Sequence, residues 1–227
     1  MKARVSLLSE EGLAALAGLM RRRALLAFDF DGTITAIRPT PGEVRVEPAL
    51  AVRMAALARR QPLAIVTGRR VTDVRARLGF EPTYIVGNHG AEDESRPAES
   101  ARWLAALEPL RAALRESGDA IAHAGILVED KGQSLALHYR NAIEPELAHA
   151  LIVELLAAHA RGMHVFGGKL VLNVTAIHAP DKAHAVHDLL LRSGAETAVF
   201  VGDDVNDEPV FQAAETHWLT ARVGADI

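Results

Sequence analysis

Four short apolar runs, each followed at once by polar residues, constrain the fold of this chain more than any other feature of its sequence. The runs are residues 25–28, 62–66, 84–86 and 198–201, and the polar segments after them are 29–33, 67–69, 87–90 and 202–208. Helical patterns over 47–60, 71–78 and 181–191 separate the runs. Strands that alternate with helices and end in polar residues are typical of a parallel α/β sheet, which binds ligands at the carboxyl ends of its strands. We therefore predict an α/β fold with its site along that edge.

Asp29 and Asp31 are the first candidates for chemistry. Alternate residues of a strand point the same way, so both carboxylates are expected to face one site. Burying two charges is costly unless they are paired or bound to a metal ion. Together with Mg2+, such a pair suits phosphoryl transfer, because one carboxylate can attack phosphorus while the other moves protons. From this run alone, a solvated acidic turn after a core strand stays open as an alternative.

The composition narrows the class of protein. The 227 residues, 49% of them hydrophobic, allow one large domain or one domain with a smaller insert. A net charge of -4 gives no basic surface for nucleic acid. The apolar N-terminal segment is interrupted by Glu10, Glu11 and three arginines, so it is neither a secretory signal nor a membrane span. With no cysteine there is no disulfide and no thiolate nucleophile. We predict a cytoplasmic monomer that binds neither nucleic acid nor membranes.

The pattern changes between residues 97 and 173, where it predicts a small α+β insert. The predicted elements are a helix through Trp103 and Leu114, strands near 126–129 and 135–140, a helix over 144–160 and strands that flank residues 167–168. In the second strand Ser134, Ala136, His138 and Arg140 share one face, which we expect to look outward. The predicted boundaries are 1–92 and 175–227 for the core and 93–174 for the insert. After Trp218 we expect little room for a further strand and helix.

Four motifs in a fixed order make the chain resemble the haloacid dehalogenase-like phosphohydrolases. They are Asp-Phe-Asp-Gly-Thr at 29–33, Thr-Gly-Arg at 67–69, Lys182 at a helix start and Gly-Asp-Asp-Val-Asn-Asp at 202–207. Within that superfamily the chain resembles the trehalose-6-phosphate phosphatase family, through Gly-Asn-His-Gly at 87–90 and through Glu129, Lys131, Ser134 and residues 138–140. The resemblance implies a Rossmann-like core with a parallel sheet and a smaller α+β cap of the C2 type, inserted between the second and third motifs.

The resemblance also implies a role for each motif in the hydrolysis of trehalose 6-phosphate. Asp29 is the implied nucleophile, Asp31 the general acid and base, and Thr67 and Lys182 the groups that meet the phosphate. The implied cofactor is Mg2+, held by Asp29, the backbone carbonyl of Asp31 and Asp203, with Asp204 and Asp207 in support. The implied substrate-binding residues are Arg69, Asn88, His89, Glu129, Lys131, His138, Arg140 and Asn173. The implied reaction gives trehalose and phosphate through an aspartyl phosphate.

Taken singly, several of these residues have simpler interpretations that stay open. Thr67 fits a turn that ends a strand, and Lys182 fits a solvated residue in the first turn of a helix. Arg69 fits a structural role at a helix entry. The charges of Glu129, Lys131 and Arg140 fit the solvated face of a hairpin.

Three positions depart from the family pattern, and one of them bears on the identity of the substrate. Asn173 stands where the family usually has an acid, Ala183 stands where the resemblance suggests glycine, and Asn206 replaces a threonine. An acid accepts hydrogen bonds from sugar hydroxyls more strongly than an amide does, so Asn173 weakens the case for a disaccharide. The alternatives are a phosphatase of another sugar phosphate, a phosphohexomutase of similar fold, or a non-catalytic domain that regulates a partner synthase. The last would normally have lost a catalytic acid, whereas Asp29 and Asp31 are both present.

Overall fold

The computed structural model describes residues 5–37, 43–168 and 170–224 and divides the chain into two compact units. The core unit comprises Met1–Gly90 and Asp181–Ile227, and the insert unit comprises Ala91–Pro180. The sequence-based boundaries place the insert at 93–174, so the insert unit begins two residues earlier and ends six residues later than they do.

Helices and strands alternate through the core unit, and the insert unit follows β3. In chain order the elements are α1 (Glu10–Met20), β1 (Ala24–Phe28), α2 (Pro48–Ala58), β2 (Leu63–Val66), α3 (Val71–Leu78) and β3 (Tyr84–Gly87). The insert unit contributes β4 (Glu92–Asp93), α4 (Pro97–Ala106), α5 (Glu108–Glu116), α6 (Gly118–His123), β5 (Leu127–Asp130), β6 (Ser134–His138), α7 (Pro145–His159), β7 (Met163–Gly168) and β8 (Val171–Ala176). The core resumes with α8 (Lys182–Ser193), β9 (Thr197–Gly202), α9 (Glu208–Ala213) and β10 (Leu219–Arg222). Short 3₁₀ helices lie at Asn88–Gly90 and Val205–Asp207.

The strands of the core unit form a parallel sheet in the order β10-β9-β1-β2-β3. Side chains of β1 alternate between two hydrophobic clusters. Leu26 packs with Met54 of α2 and Val74 of α3, whereas Leu25 packs with Val186 of α8. Strands covered by helices on both faces are the hallmark of α/β proteins, and the predicted fold class is confirmed.

The strand order changes direction at the pair β1 and β9. From β1 the chain builds the sheet outward through β2 and β3, and it later returns to add β9 and β10 on the other side. Ligands bind to such sheets at the carboxyl ends of the strands where the order reverses. The segments that begin at Asp29 and Asp203 leave the sheet at this point.

β10 contradicts the expectation of little room after Trp218. Four residues suffice for a parallel edge strand, and Leu219–Arg222 pairs with residues 199–202 of β9. Trp218, just before it, is buried among the side chains that cover one face of the sheet.

The insert unit is an antiparallel sheet, β5-β6-β8-β7, packed on helices, as the α+β pattern predicts. Leu110 of α5, Ile121 of α6 and Ile152 of α7 pack with Leu135 of β6 in its hydrophobic cluster. The single helix predicted through Trp103 and Leu114 is wrong, because two helices, α4 and α5, occupy this stretch. Pro109 explains one break, since proline has no N–H to continue a helix but fits its first turn.

The outward-facing polar face predicted for β6 is also wrong in its first half. Ser134 is only 2% exposed and Ala136 only 1%, while His138 is half-buried and Arg140 is exposed. β6 lies between β5 and β8, and small side chains such as serine and alanine allow close packing over the middle of a sheet.

The helices in the described ranges are all too short or too polar to cross a membrane.

Candidate active site

A buried lysine holds two buried carboxylates at the carboxyl end of the core sheet. Lys182 Nζ donates to Asp29 Oδ1 at 2.8 Å and to Asp207 Oδ1 at 2.7 Å. Asp29 follows β1 directly, Lys182 is the first residue of α8, and Asp207 ends the 3₁₀ helix after β9. The side chain of Asp181 caps α8 by accepting from the backbone N–H of His184, which fixes the start of the helix at Lys182.

Burial and charge act against each other in this group. Burial raises the pKa of Asp29 to about 6, and the charge of Asp207 adds to the rise, while Lys182 opposes it. Burial by itself lowers the pKa of Lys182, but the two carboxylates outweigh burial and raise it above its ordinary value. Lys182 is therefore an ammonium group at neutral pH.

A third carboxylate, that of Asp203, completes an acidic cluster next to Lys182. Asp29, Asp203 and Asp207 each present an oxygen within 4.8 Å of the others. Burial raises the pKa of Asp203, with further contributions from the charges of Asp207 and Asp204, while a hydrogen bond from Thr33 Oγ1 opposes the rise. Carboxylates crowded in this way favour a cation, and hard oxygen ligands suit Mg2+. The donor set therefore fits the metal ion that the resemblance implies.

Gly32 allows the first loop to approach Asp203. Its φ of 81° lies in the left-handed region that favours glycine. A Cβ at this position would lie 2.5 Å from Cγ of Asp203. Any larger residue would displace the carboxylate from the cluster.

Asp204 and Asp207 shape the loop after β9. Asp207 Oδ2 accepts from the backbone N–H groups of Asp203 at 3.0 Å and of Asp204 at 3.1 Å. The carboxylate of Asp204 accepts from the backbone N–H of Val205 and from the side-chain amide of Asn206. Asp204 is not in the cluster of three, and these hydrogen bonds join it to residues of its own loop.

Asp31, predicted as the acid and base, is paired with an arginine. Arg69 Nε donates to Asp31 Oδ2 at 2.6 Å and Arg69 Nη2 donates to Asp31 Oδ1 at 2.8 Å. Arg69 Nη1 also donates to Asp73 Oδ2 at 2.9 Å. Arg69, which the sequence placed among the substrate-binding residues, thus lies between two carboxylates. The carboxylate of Asp31 is outside the acidic cluster.

The loops after β2 and β3 are bonded to each other. The backbone N–H of Asn88 donates to the carbonyl of Arg69, and that of His89 donates to the carbonyl of Thr67. Asn88 and His89 have φ values of 50° and 59°, and a Cβ on Gly68 would lie 2.6 Å from His89 Nε2. Thr67 and Asn88 are fully buried, which places Asn88 in the support of this loop pair.

The other predicted substrate-binding residues lie in the insert unit, and three share one face of its sheet. Residues directly opposite on neighbouring strands point to the same face, so the register of Glu129 with Ala136 and of Ala136 with Asn173 places Glu129 and Asn173 together. His138, two residues from Ala136, points the same way, and its Nε2 lies 3.0 Å from Glu129 Oε2. Asn173 is buried, while Glu129 is exposed.

Lys131 and Arg140 flank this group. Lys131 Nζ lies 3.6 Å from Glu129 Oε2. The hydrogen bond with His138 holds the pKa of Glu129 below its usual range, although burial opposes this, and Lys131 adds to the lowering. Arg140 follows the end of β6 and is exposed.

Sequence reasoning missed Thr33 and Asp73, which contact the predicted site residues Asp203 and Arg69, and it missed Arg77, which contacts Asp73. The spacing of Asp73 and Arg77 in α3 was a usable signal, because charges four residues apart lie on one side of a helix. Thr33 belongs to the first motif but received no role.

A family model places this chain among known proteins. The model described as trehalose-phosphatase matches residues 27–226. The chain belongs to the trehalose-phosphatase family. The trehalose-phosphate phosphatase of Mycobacterium avium is 32% identical over 205 residues, which are 86% of this chain and 52% of that protein. A Mycobacterium tuberculosis protein named as an uncharacterized glycosyl hydrolase is 31% identical over 206 residues, 86% of this chain but 16% of that protein. This trehalose-phosphatase family member thus spans about half the length of the named mycobacterial phosphatase.

Solved structures agree at the level of the fold. A trehalose-6-phosphate phosphatase related protein has a TM-score of 0.70 at 21% identity, covering 90% of this chain and 88% of that one. The C-terminal domain of Candida albicans trehalose-6-phosphate phosphatase also has a TM-score of 0.70, at 19% identity, covering 88% and 77%. Synechocystis sucrose-phosphatase, solved with sucrose and phosphate, has a TM-score of 0.58 at 17% identity, covering 88% and 92%. The predicted haloacid dehalogenase-like fold is confirmed.

Proposed function

We propose that this protein is a Mg2+-dependent phosphatase that hydrolyses trehalose 6-phosphate to trehalose and phosphate. One observation carries the proposal: the buried Lys182 bridges Asp29 and Asp207 beside Asp203, at the carboxyl ends of β1 and β9. A buried ammonium group among three carboxylates is costly as a purely structural device. The same arrangement suits a site that holds a phosphate, a cation and a nucleophilic carboxylate together.

Two carboxylates carry the chemical steps. A carboxylate oxygen of Asp29 attacks phosphorus, and the bond between phosphorus and the sugar oxygen breaks as Asp31 gives that oxygen a proton. Asp31 then takes a proton from water, whose oxygen attacks the phosphorus of the aspartyl phosphate and restores the Asp29 carboxylate. One sugar phosphate and one water thus give one sugar and one phosphate.

Lys182 and Thr67 meet the charge of the phosphoryl group. Negative charge in the transition state spreads over the phosphoryl oxygens, where a fixed cation and a hydroxyl stabilise it. Lys182 also favours the ionised form of Asp29, against the pKa rise that burial causes. An unprotonated carboxylate is what the attack requires.

The acidic cluster would hold the metal ion. Asp29, Asp203 and the backbone carbonyl of Asp31 would be its protein ligands. Asp207 is assigned to support, because its two oxygens already accept from Lys182 and from two backbone N–H groups. When bound, the ion supplies positive charge beside the phosphate.

We assign recognition of the sugar to the insert unit, as its cap-like role in the resemblance implies. Glu129, His138 and Asn173 share one face of its sheet, with Lys131 and Arg140 beside them, and all of these side chains can bond sugar hydroxyls. Asn173 favours a second candidate, a phosphatase for another sugar phosphate, since an amide replaces the acid expected for a disaccharide. We retain the prediction that the protein is a monomer of the cytoplasm.

Phosphate release from a panel of sugar phosphates tests the function. The panel contains trehalose 6-phosphate, sucrose 6-phosphate and glucose 6-phosphate, each with Mg2+ and then with a chelator. Fastest release from trehalose 6-phosphate, abolished by the chelator, is expected. Faster release from another sugar phosphate supports the second candidate, and turnover only in the presence of a bisphosphate activator indicates a mutase. No release from any member identifies a non-catalytic domain and overturns the proposal.

A further inference from the structure

A row of alternating charges leads from Asp31 into helix α3. Its members are Asp31, Arg69, Asp73 and Arg77. Arg77 donates to Asp73 Oδ1 through Nε at 2.9 Å and through Nη2 at 2.5 Å, and Arg69 donates to Asp73 Oδ2. Both oxygens of Asp73 therefore accept from guanidinium groups.

Each member of the row restrains the next. Arg77, at the end of the row away from Asp31, donates through Nη1 to the carbonyl of Val44, which lies shortly before α2. Asp73 lies in the first turn of α3, where the helix dipole favours a negative charge. The hydrogen bonds from Arg77 and Arg69 hold the pKa of Asp73 below its usual range, although burial opposes this. The Asp73 carboxylate is thus charged, and its position is fixed by the helix and by its two arginine partners.

Arg69 carries this restraint to Asp31. An arginine side chain has many rotamers. When its planar guanidinium bonds to fixed partners on two sides, only one of these rotamers satisfies both. The guanidinium of Arg69 donates hydrogen bonds to both oxygens of Asp31 through Nε and Nη2, and to Asp73 through Nη1. The same guanidinium lies over the ring of Phe30, 5.5 Å from its centroid. A carboxylate has about four lone-pair sites, so the guanidinium leaves one on each oxygen of Asp31 for proton transfer.

We propose that Asp73 is a positioning residue, which fixes through Arg69 the orientation of the Asp31 carboxylate that protonates the leaving group. This inference rests on the proposed phosphatase function. Asp73 itself touches Arg69 and Arg77 and has no contact with the acidic cluster in the described structure. Loss of Asp73 therefore affects the step that needs a well-placed acid, while Asp29 and Lys182 are left in place.

Leaving-group dependence separates this role from a general loss of activity. The value of kcat/KM reports transfer of the phosphoryl group to Asp29, and a basic leaving group needs the proton from Asp31 whereas an acidic phenol does not. For Asp73→Asn, kcat/KM should fall about ten-fold for trehalose 6-phosphate and phenyl phosphate but less than about two-fold for 4-nitrophenyl phosphate. Asp73→Glu should recover part of the loss. The ratio of the values is independent of the amount of folded protein.

Glu81→Gln is the matched control. It removes an ion pair that Arg75 of α3 makes with Glu81, at 2.5 Å, and that has no part in the row. Its kcat/KM should equal that of the wild type for every substrate. An equal loss of kcat/KM on all substrates in Asp73→Asn, or no loss, overturns the positioning role. Failure of the wild type to hydrolyse trehalose 6-phosphate counts against the proposed substrate, while the aryl phosphates still test Asp73.

Discussion

Asp29 and Lys182 are both almost fully buried, and the hydrogen bond between them orients one oxygen of the proposed nucleophile. Asp29→Asn keeps the size of the side chain and an oxygen that can accept from Lys182, but an amide is a poor nucleophile. We expect phosphate release to fall at least about a thousand-fold, with the protein still folded. Steady-state release and thermal unfolding followed by circular dichroism measure the two effects. Substantial release by the folded variant would show that Asp29 is not the nucleophile.

Asp203 and Asp204 are neighbours with different contacts, which makes them a matched pair for testing the metal site. Asp203 belongs to the acidic cluster, whereas Asp204 bonds only within its own loop among the contacts described above. Asp203→Ala should raise the Mg2+ concentration needed for half-maximal activity about ten-fold or more, because a hard oxygen ligand is lost. Asp204→Ala should raise it less. Full activity in a chelator, or equal effects of the two changes, would contradict the assignment.

Among the structural elements, the loops after β2 and β3 depend on each other at Gly68. The imidazole of His89 occupies the space that a side chain at Gly68 would need. Gly68→Ala should therefore lower the free energy of unfolding by about 1–3 kcal/mol through overpacking. In a His89→Ala background the same change should cost much less, because the ring is gone. Urea denaturation of the four proteins of this double-mutant cycle measures the coupling between the two positions. Additive effects on the free energy of unfolding would mean that there is no steric conflict between residue 68 and the His89 ring.

The sequence predicted the parts of the fold that depend on local pattern, and it failed where packing between elements decides. Apolar runs with acids at their ends located β1 and β9, because that pattern is set by the strands themselves. The outward face of β6 was mispredicted, since alternation along a strand says nothing about what covers Ser134 and Ala136. β10 was missed because a four-residue edge strand carries too few apolar positions to be recognised.

In the candidate site, too, the sequence predicted what its motifs contain and missed contacts between different elements. The order of the motifs predicted that Asp29, Lys182 and Asp203 belong to one site, and the side chains of these residues lie together in the structure. The bonds of Arg69 to Asp31 and Asp73 join different elements, so no motif in the sequence indicates them.

At the scale of the whole molecule, the two units carry different parts of the proposed function. The core unit holds every group assigned to the phosphate and the metal ion, and the insert unit holds the groups assigned to the sugar. Glu129, Lys131 and His138 are clustered by their own contacts, on the sheet face opposite to the helix-packed side that contains Leu135. If the two units act on different parts of the substrate, a substitution in the insert unit should lower activity on a sugar phosphate more than activity on a small phosphate ester.

Glu129→Ala and Lys131→Ala test that division. Contacts to remote parts of a substrate can support catalysis at the reacting centre, so each change should lower kcat/KM for the sugar phosphate about ten-fold or more. Hydrolysis of 4-nitrophenyl phosphate, which has no sugar, should be nearly unchanged. Glu154→Ala, an exposed glutamate of α7 in the same unit, is the control and should affect neither substrate. Equal losses on both substrates in the Glu129 and Lys131 variants would indicate a folding or catalytic role, and no loss on either would mean that these charges form only a solvated hairpin face.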